Sequence, residues 1–203
     1  GKRGVIGLPL GLNMYENLFF WEAFFRNLDF DIVVSDLSSR ALYAKGQYSV
    51  PSDTACYPAK LMHGHIENLL DKGVTTIFYP CMSYNFDESK GDNHFNCPVV
   101  AYYPELLASN VEKLKQVRYL YPYLDLAERK IFPKKIWQAL QEYYPDLTLR
   151  EVKRASDCAY ESYHCQREQV KEEGRKALEF ARQKGLKTII LCGRPYHVDP
   201  EIN

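Results

Sequence analysis

Apolar positions follow two spacings along this chain. Short continuous runs recur at Gly4–Leu8, Asp31–Val34, Thr75–Tyr79 and Val99–Tyr102, each of the length expected for a strand buried on both faces. Between them the spacing lengthens. Leu18, Trp21, Phe25 and Leu28 recur at three or four residues, which places them on one face of a helix. Asn13, with Glu16 three residues on, predicts a capping box at the start of that helix. Ser39–Lys45 predicts a short helix closed by Gly46. Pro58 suits the first turn of a helix running to Lys72, with Gly73 just past its end. Pro104 predicts the start of another helix. Strand and helix in alternation describe a parallel sheet covered on both faces, so residues 1 to 115 read as a flavodoxin-like or Rossmann-like α/β lobe.

The pattern then turns helical from 116 to 185. Pro133 opens one helix, and Thr148 with Glu151 forms a capping box for a long one ending before Gly185. Glu172, Glu173, Arg175 and Lys176 mark a solvated face on it. A new strand is expected over Lys187–Leu191, followed by Cys192-Gly-Arg-Pro-Tyr-His197, with Asp199 and Pro200 as the cap and first residue of a further helix. Residues 186 to 203 thus read as the start of a second α/β lobe, and the chain as a fragment of a longer protein.

Composition narrows the partners more than the reaction. Lys plus Arg and Asp plus Glu number 26 each, so no electrostatic footprint for nucleic acid or an anionic membrane surface exists. The apolar runs are too short for a membrane span. The first of them is interrupted by Pro9, which argues against an export signal and for a reducing cytoplasm. No Gly-x4-Gly-Lys-Ser/Thr phosphate loop occurs. Gly7-Leu-Pro-Leu-Gly11 is either an anion cradle or a tight turn.

The candidate chemistry lies in the cysteines. Cys56, Cys81 and Cys97 sit beside prolines at chain breaks, where a thiol is placed for chemistry rather than packing. Sites in open parallel sheets form at the carboxyl ends of strands. Cys81 follows the third strand, and Cys56 precedes a helix whose N-terminus faces the same edge and favours a thiolate. Cys97 precedes the fourth run and is expected at the opposite edge, roughly 15 Å away. Thiolates from separate loops suit an iron–sulfur cluster, whereas zinc sites more often show close Cys-x2-Cys spacing. Cys158 and Cys165, seven apart on the long helix, read as packing contacts. His63 and His65 read as partly exposed polar residues, and Lys60 as a surface residue. Asp87 and Glu88 read as a solvated pair. Arg194 and His197 could meet a substrate or a neighbouring domain, or hold a turn.

Several stretches carry a family resemblance: Asp53-Thr-Ala-Cys-Tyr-Pro-Ala-Lys60, Tyr79-Pro-Cys81, Asn96-Cys-Pro98 and Gly193-Arg-Pro-Tyr-His-Val-Asp-Pro-Glu-Ile-Asn203. Together they resemble the C-terminal region of CoA-substrate-specific enzyme activases, which is similar to the iron–sulfur subunits of 2-hydroxyacyl-CoA dehydratases. The resemblance implies a 4Fe-4S cluster held between lobes, with ligand roles falling on Cys56 and Cys81. The third ligand would come from a second lobe of which this chain holds only the start, so the cluster is expected in the full-length protein and not in this stretch alone. Cys97 matches the activase-type Asn-Cys-Pro pattern without an assigned role. The resemblance also implies an ATP-hydrolysing activase domain as partner, on the same or a separate chain, and a CoA thioester as substrate. The rival reading is a non-catalytic docking or small-anion-binding α/β module.

Overall fold

The computed structural model describes residues 1–87, 89 and 91–203; Glu88 lies outside them. Three of the four expected strands form where the apolar runs lie: β1 is Val5–Leu8, β2 is Asp31–Val34 and β3 is Thr76–Phe78. After Pro80 the chain resumes as β4, Cys81–Met82. The fourth strand of the main sheet is β5, Arg118–Leu120, followed past Pro122 by β6, Tyr123–Leu124. The sheet order is β2-β1-β3-β5, and every pairing in it is parallel, with Gly7 opposite Ile77 and Ile77 opposite Tyr119. This is the flavodoxin/Rossmann-like α/β class anticipated from the alternation.

The third and fourth sheet strands overshoot the other two. Tyr79 N–H donates to the Leu120 carbonyl and Cys81 N–H to the Pro122 carbonyl, both at 2.9 Å, and Cys81 stands opposite Tyr123 in a parallel β4–β6 pair. In this register the nitrogen of Pro80 points toward β1, which has already ended at Leu8. A residue without an N–H is therefore tolerated at that level.

Among the described residues seven α-helices flank the strands: α1 Leu12–Glu16, α2 Leu18–Arg26, α3 Arg40–Gly46, α4 Tyr57–Asp71, α5 Pro98–Asn110, α6 Phe132–Gln141 and α7 Leu149–Gln183. Ser39 caps α3 by accepting from Leu42 N–H at 3.1 Å. The capping box at Thr148 and Glu151 is present on α7, and Glu151 also accepts from Arg3 at 2.8 Å, tying the helix start to the N-terminal strand.

Four local expectations fail. Val99–Tyr102 is not a strand but the first turns of α5, which Cys97 caps and Pro98 opens. Pro104 lies inside this helix rather than at a start. The β-branched and aromatic residues there simulate a strand locally, yet Val100, Ala101, Tyr103 and Leu107 are buried, and that packing offsets an interior proline's cost of about 3 kcal/mol. Asn13 is not a cap. Gly11 takes that place, and Asn13 is buried inside α1, with Leu12 before it in the left-handed region at φ 44°. The stretch after 115 is not wholly helical, since it supplies β5 and β6. Lys187–Leu191 forms no strand, and Ile189, Ile190 and Leu191 are exposed, because no neighbouring strand is there to pair with among the described residues.

An aromatic cluster fills one side of the sheet. Trp21 packs on Phe78 at 4.8 Å between ring centroids, and Phe20 and Phe24 approach Phe132 of α6 at 5.4 and 5.9 Å. Phe132 also meets Tyr160 of α7 at 5.9 Å. The amino-terminal half of α7 packs on α2 and α6, while its carboxyl half is exposed and carries i,i+3 pairs such as Arg175–Glu172 and Lys176–Glu173, the solvated face the charges foretold. Among the described residues no helix is long and apolar enough to cross a membrane.

On the other side, α4 is enclosed. A methyl added to Gly64 would lie 2.1 Å from the Leu42 carbonyl oxygen of α3, and one on Gly46 would lie 2.2 Å from the Gly64 nitrogen. The two backbones touch, so α3 and α4 pack as one unit and α4 is buried from Leu61 to Leu69.

Candidate functional site

The carboxyl edge of the sheet gathers the chain's thiols. Cys56 caps α4, with Pro58 in the first turn, and is exposed. Cys81 follows β3 and is fully buried. Cys97 caps α5 and is half-buried. Because Cys97 precedes a helix and not a strand, it does not fall at the opposite edge. It shares the electrostatic surroundings of Tyr196 with Cys56. Cys56 and Cys81 likewise both act on Tyr79, and Cys56 acts on Tyr103. Cys158 is half-buried and Cys165 exposed on α7, so Cys165 is no core contact. Cys192 lies exposed in the unpaired stretch before Gly193.

The thiols differ in readiness. Burial, reinforced by the charge of Glu105, pushes the Cys81 thiol up to about 11, against a hydrogen bond from Tyr123. Cys56 is exposed to solvent at the start of α4. In the native protein an alkylating reagent at about pH 8 is expected to modify Cys56 roughly 100-fold or more faster than Cys81, because Cys81 is sealed from solvent and burial keeps its proton on. Mass mapping of the modified peptides checks this, and equal rates would contradict the burial of Cys81.

Two histidines expected at the surface are instead fully buried, because α4 is covered by α3 and by the carboxyl-edge loops. Their proton positions follow from counting donors. Ser49 donates to the Gly46 carbonyl at 2.9 Å, so it must accept from His63 Nδ1 at 2.7 Å. His63 Nε2 then accepts from the Tyr103 hydroxyl at 3.0 Å. His65 has the opposite tautomer. Ser38 donates to the Asp199 carboxylate, so His65 Nε2 donates to Ser38 at 3.0 Å, and Ser35 donates to His65 Nδ1 at 2.8 Å. Leu10 N–H completes the chain by donating to Ser35 at 2.8 Å. Burial holds both imidazoles neutral, with His63 pushed down to about 4 and His65 to about 3.

Asp199 enters this network from the carboxyl-terminal segment. A 3-10 turn over Pro195–Val198 packs on α1, and Asp199 accepts from Glu201 N–H at 2.9 Å in a turn where the further helix was expected. Glu201 accepts from Tyr57, next to Cys56, at 2.8 Å. His197 holds the turn, its N–H donating to the Arg194 carbonyl at 2.9 Å. Arg194 lines a cleft of about 250 Å³ with Cys97, Tyr196, Asn96 and Arg167. The segment 193–203 therefore lies over the cysteine edge. Lys60 is half-buried and donates to the Asp53 carbonyl at 2.9 Å, bracing the loop that carries Cys56. Asp87 accepts from Ser89 N–H in its loop.

Among the described residues no three His, Cys, Asp or Glu side chains stand together in a metal-holding arrangement. Cys56 and Cys81 offer soft thiol donors toward one edge but make no ligand set by themselves.

Sequence reasoning passed over the phenols Tyr79, Tyr103 and Tyr196 and the Ser35–His65–Ser38–Asp199 chain. The usable signal was Gly64 between two histidines. A glycine inside a helix marks a close approach, and histidines flanking it are then enclosed.

No curated protein and no solved structure matches this chain. The model of the CoA enzyme activase uncharacterised domain (DUF2229) matches residues 5–203, and the chain belongs to that family of CoA enzyme activase domains.

Proposed function

We propose that this domain supplies thiolate ligands to an iron–sulfur cluster of a CoA enzyme activase system that passes electrons toward CoA-thioester chemistry of the 2-hydroxyacyl type. The observation that supports the reading is that Cys56, at the start of α4, and Cys81, just past β3, lie toward the same carboxyl edge of the sheet. A bound 4Fe-4S cluster accepts and donates single electrons. The chain's own residues would prepare its seat. Cys56 would offer its sulfur from the exposed start of α4, and binding must displace the proton that burial holds on Cys81. Cys97, at the start of α5, stands by as a further thiol. The ligand set is completed from outside the described residues, and an ATP-hydrolysing activase domain is the electron donor that this reading calls for.

Anaerobic reconstitution of the full-length protein with ferrous iron and sulfide tests it. Iron, acid-labile sulfide and a brown charge-transfer absorption are expected, and Cys56→Ser or Cys81→Ser should each remove most of the signal. An iron-free, colourless protein would sink the proposal. The docking reading draws on one observation, the complete burial of Cys81. Its anion-binding form has less support: the Gly7–Asn13 loop is itself buried, and the Leu10 N–H is already committed to Ser35.

A further inference from the structure

We infer that two copies of this chain pair through the open edge formed by β5 and β6, joining their sheets across a twofold axis at Tyr121. β5 is an outer strand of the four-stranded sheet. β6 continues it past Pro122 in unbroken register, with Thr76 opposite Arg118 and Cys81 opposite Tyr123. Arg118 N–H donates to the Thr75 carbonyl, and the Leu120 and Pro122 carbonyls accept from Tyr79 and Cys81. Residues 118, 120 and 122 thus turn their main chain toward β3 and β4. Tyr119, Tyr121 and Tyr123 turn theirs outward, and among the described residues their N–H and C=O groups have no partner. Native edges are commonly blunted by a proline, a lysine or a bulge. This edge presents three tyrosines at its outward positions instead, and Pro122 takes no donor from it because it turns inward.

The edge is complementary to itself. Its three outward residues pair antiparallel with the same three of a second copy, Tyr121 opposite Tyr121 and Tyr119 opposite Tyr123. Each such pair exchanges two main-chain hydrogen bonds, about six in all. The tyrosine side chains share one face of the strand. The Tyr119 and Tyr121 rings lie 5.1 Å apart, and Tyr123 meets Tyr102 of α5 at 6.3 Å. Tyr121, Tyr123 and Tyr102 are exposed at 37, 52 and 49%. Such rings, apolar with one polar tip, are enriched where proteins meet. Clefts of about 400 and 250 Å³, both lined by Tyr119, Tyr121 and Tyr143, widen the seat. Charge favours the antiparallel sense. Arg118, whose guanidinium lies over the Tyr143 ring at 5.0 Å, stands at the start of the edge and Asp125 at its end. The twofold carries the Arg118 end of each copy to the Asp125 end of the other, whereas a parallel approach would set like charges together. The pairing needs none of the thiols, and it leaves the carboxyl edges of the two sheets facing opposite ways.

Sedimentation velocity on the whole chain from about 1 to about 100 μM, a span that covers modest affinities, tests this together with hydrogen exchange read at single amides. A dimer is expected. The amides of Tyr119, Tyr121 and Tyr123 should slow as it forms, while that of Arg118, bonded to Thr75, stays slow throughout. Tyr121→Lys sets two like charges on the axis and should weaken the dimer at least about tenfold with an unchanged far-ultraviolet dichroism. Should Tyr121→Lys fail to fold, Tyr121→Cys reports instead. Residues facing each other on the axis stand about 5.5 Å apart at Cα, within disulfide reach, so mild oxidation should give a dimer linked 121 to 121 in peptide maps. A dimer indifferent to Tyr121→Lys, or one never linked at 121, would overturn the inference. So would protection of Lys187–Leu191 along with the edge, since that exposed segment would then be the occupant. A monomer at every concentration would overturn it too and leave the edge to a strand of another protein.

Discussion

Lowering the pH from about 7 to about 5 is expected to remove roughly 4 kcal/mol of folding stability, with His63 and His65 as the cause. Both are fully buried and neutral, held at about 4 and about 3 against 6.5 for an ordinary histidine. Above pH 6.5 neither state of the protein protonates them and their effect vanishes. Below it the unfolded chain takes up two protons that the folded chain refuses, so stability falls as the pH drops toward each folded value. The slope approaches about 2.7 kcal/mol per pH unit, two protons' worth. His63 faces only neutral hydroxyls, those of Ser49 and Tyr103. His65 faces Ser35 and Ser38, with Asp36 opposing the shift and Asp199 beyond Ser38. Glu151, lowered to about 2 chiefly by its hydrogen bonds with Thr148 and Arg3, adds a further loss only at lower pH. Urea unfolding across this range measures the slope. His63→Gln should reduce it by half, and a flat profile would mean that the histidines are not sealed.

The second large effect is expected at Phe132. Truncation to alanine should cost about 3–5 kcal/mol, the range for deleting a buried aromatic ring. Phe132 lies at the start of α6 and touches Phe20, Trp21 and Phe24 of α2 together with Tyr160 of α7. One side chain thus joins three helices. The variant's urea midpoint should fall with little change in slope, and its near-ultraviolet dichroism should lose intensity. A loss below about 1 kcal/mol would show that the cluster closes over the gap.

The sheet was legible where apolar runs were unambiguous. Val5–Leu8, Asp31–Val34 and Thr76–Phe78 carry β-branched or aromatic residues bounded by glycine, aspartate or proline, and each is a strand. The alternation failed where local preference and tertiary packing disagreed. Val99–Tyr102 has strand composition, but Cys97-Pro98 starts a helix there, and the helix wins by burying Val100 and Tyr103. Arg118–Leu120 pairs as a strand on only three residues, too few for a spacing signal. That exchange also moved Cys97, since a residue placed before a helix comes to the sheet edge that a residue before a strand would leave. The edge positions of Cys56 and Cys81 were legible from the order of strand and helix, but the flanking prolines misled on exposure, since Cys81 is fully buried. The phenols around them were not legible, because the meeting of Tyr79, Tyr103 and Tyr196 is made by three elements far apart in sequence.

The overshoot of β3 and β5 beyond their neighbours gives the thiol edge an uneven stiffness. Cys81 is anchored in a hydrogen-bonded ladder whose backbone cannot slide without breaking the Pro122 bond. Cys56 and Cys97 stand outside that ladder, at the starts of α4 and α5. A displacement at the start of α4 would pass through Tyr57 and Glu201 to the segment that lies across the edge.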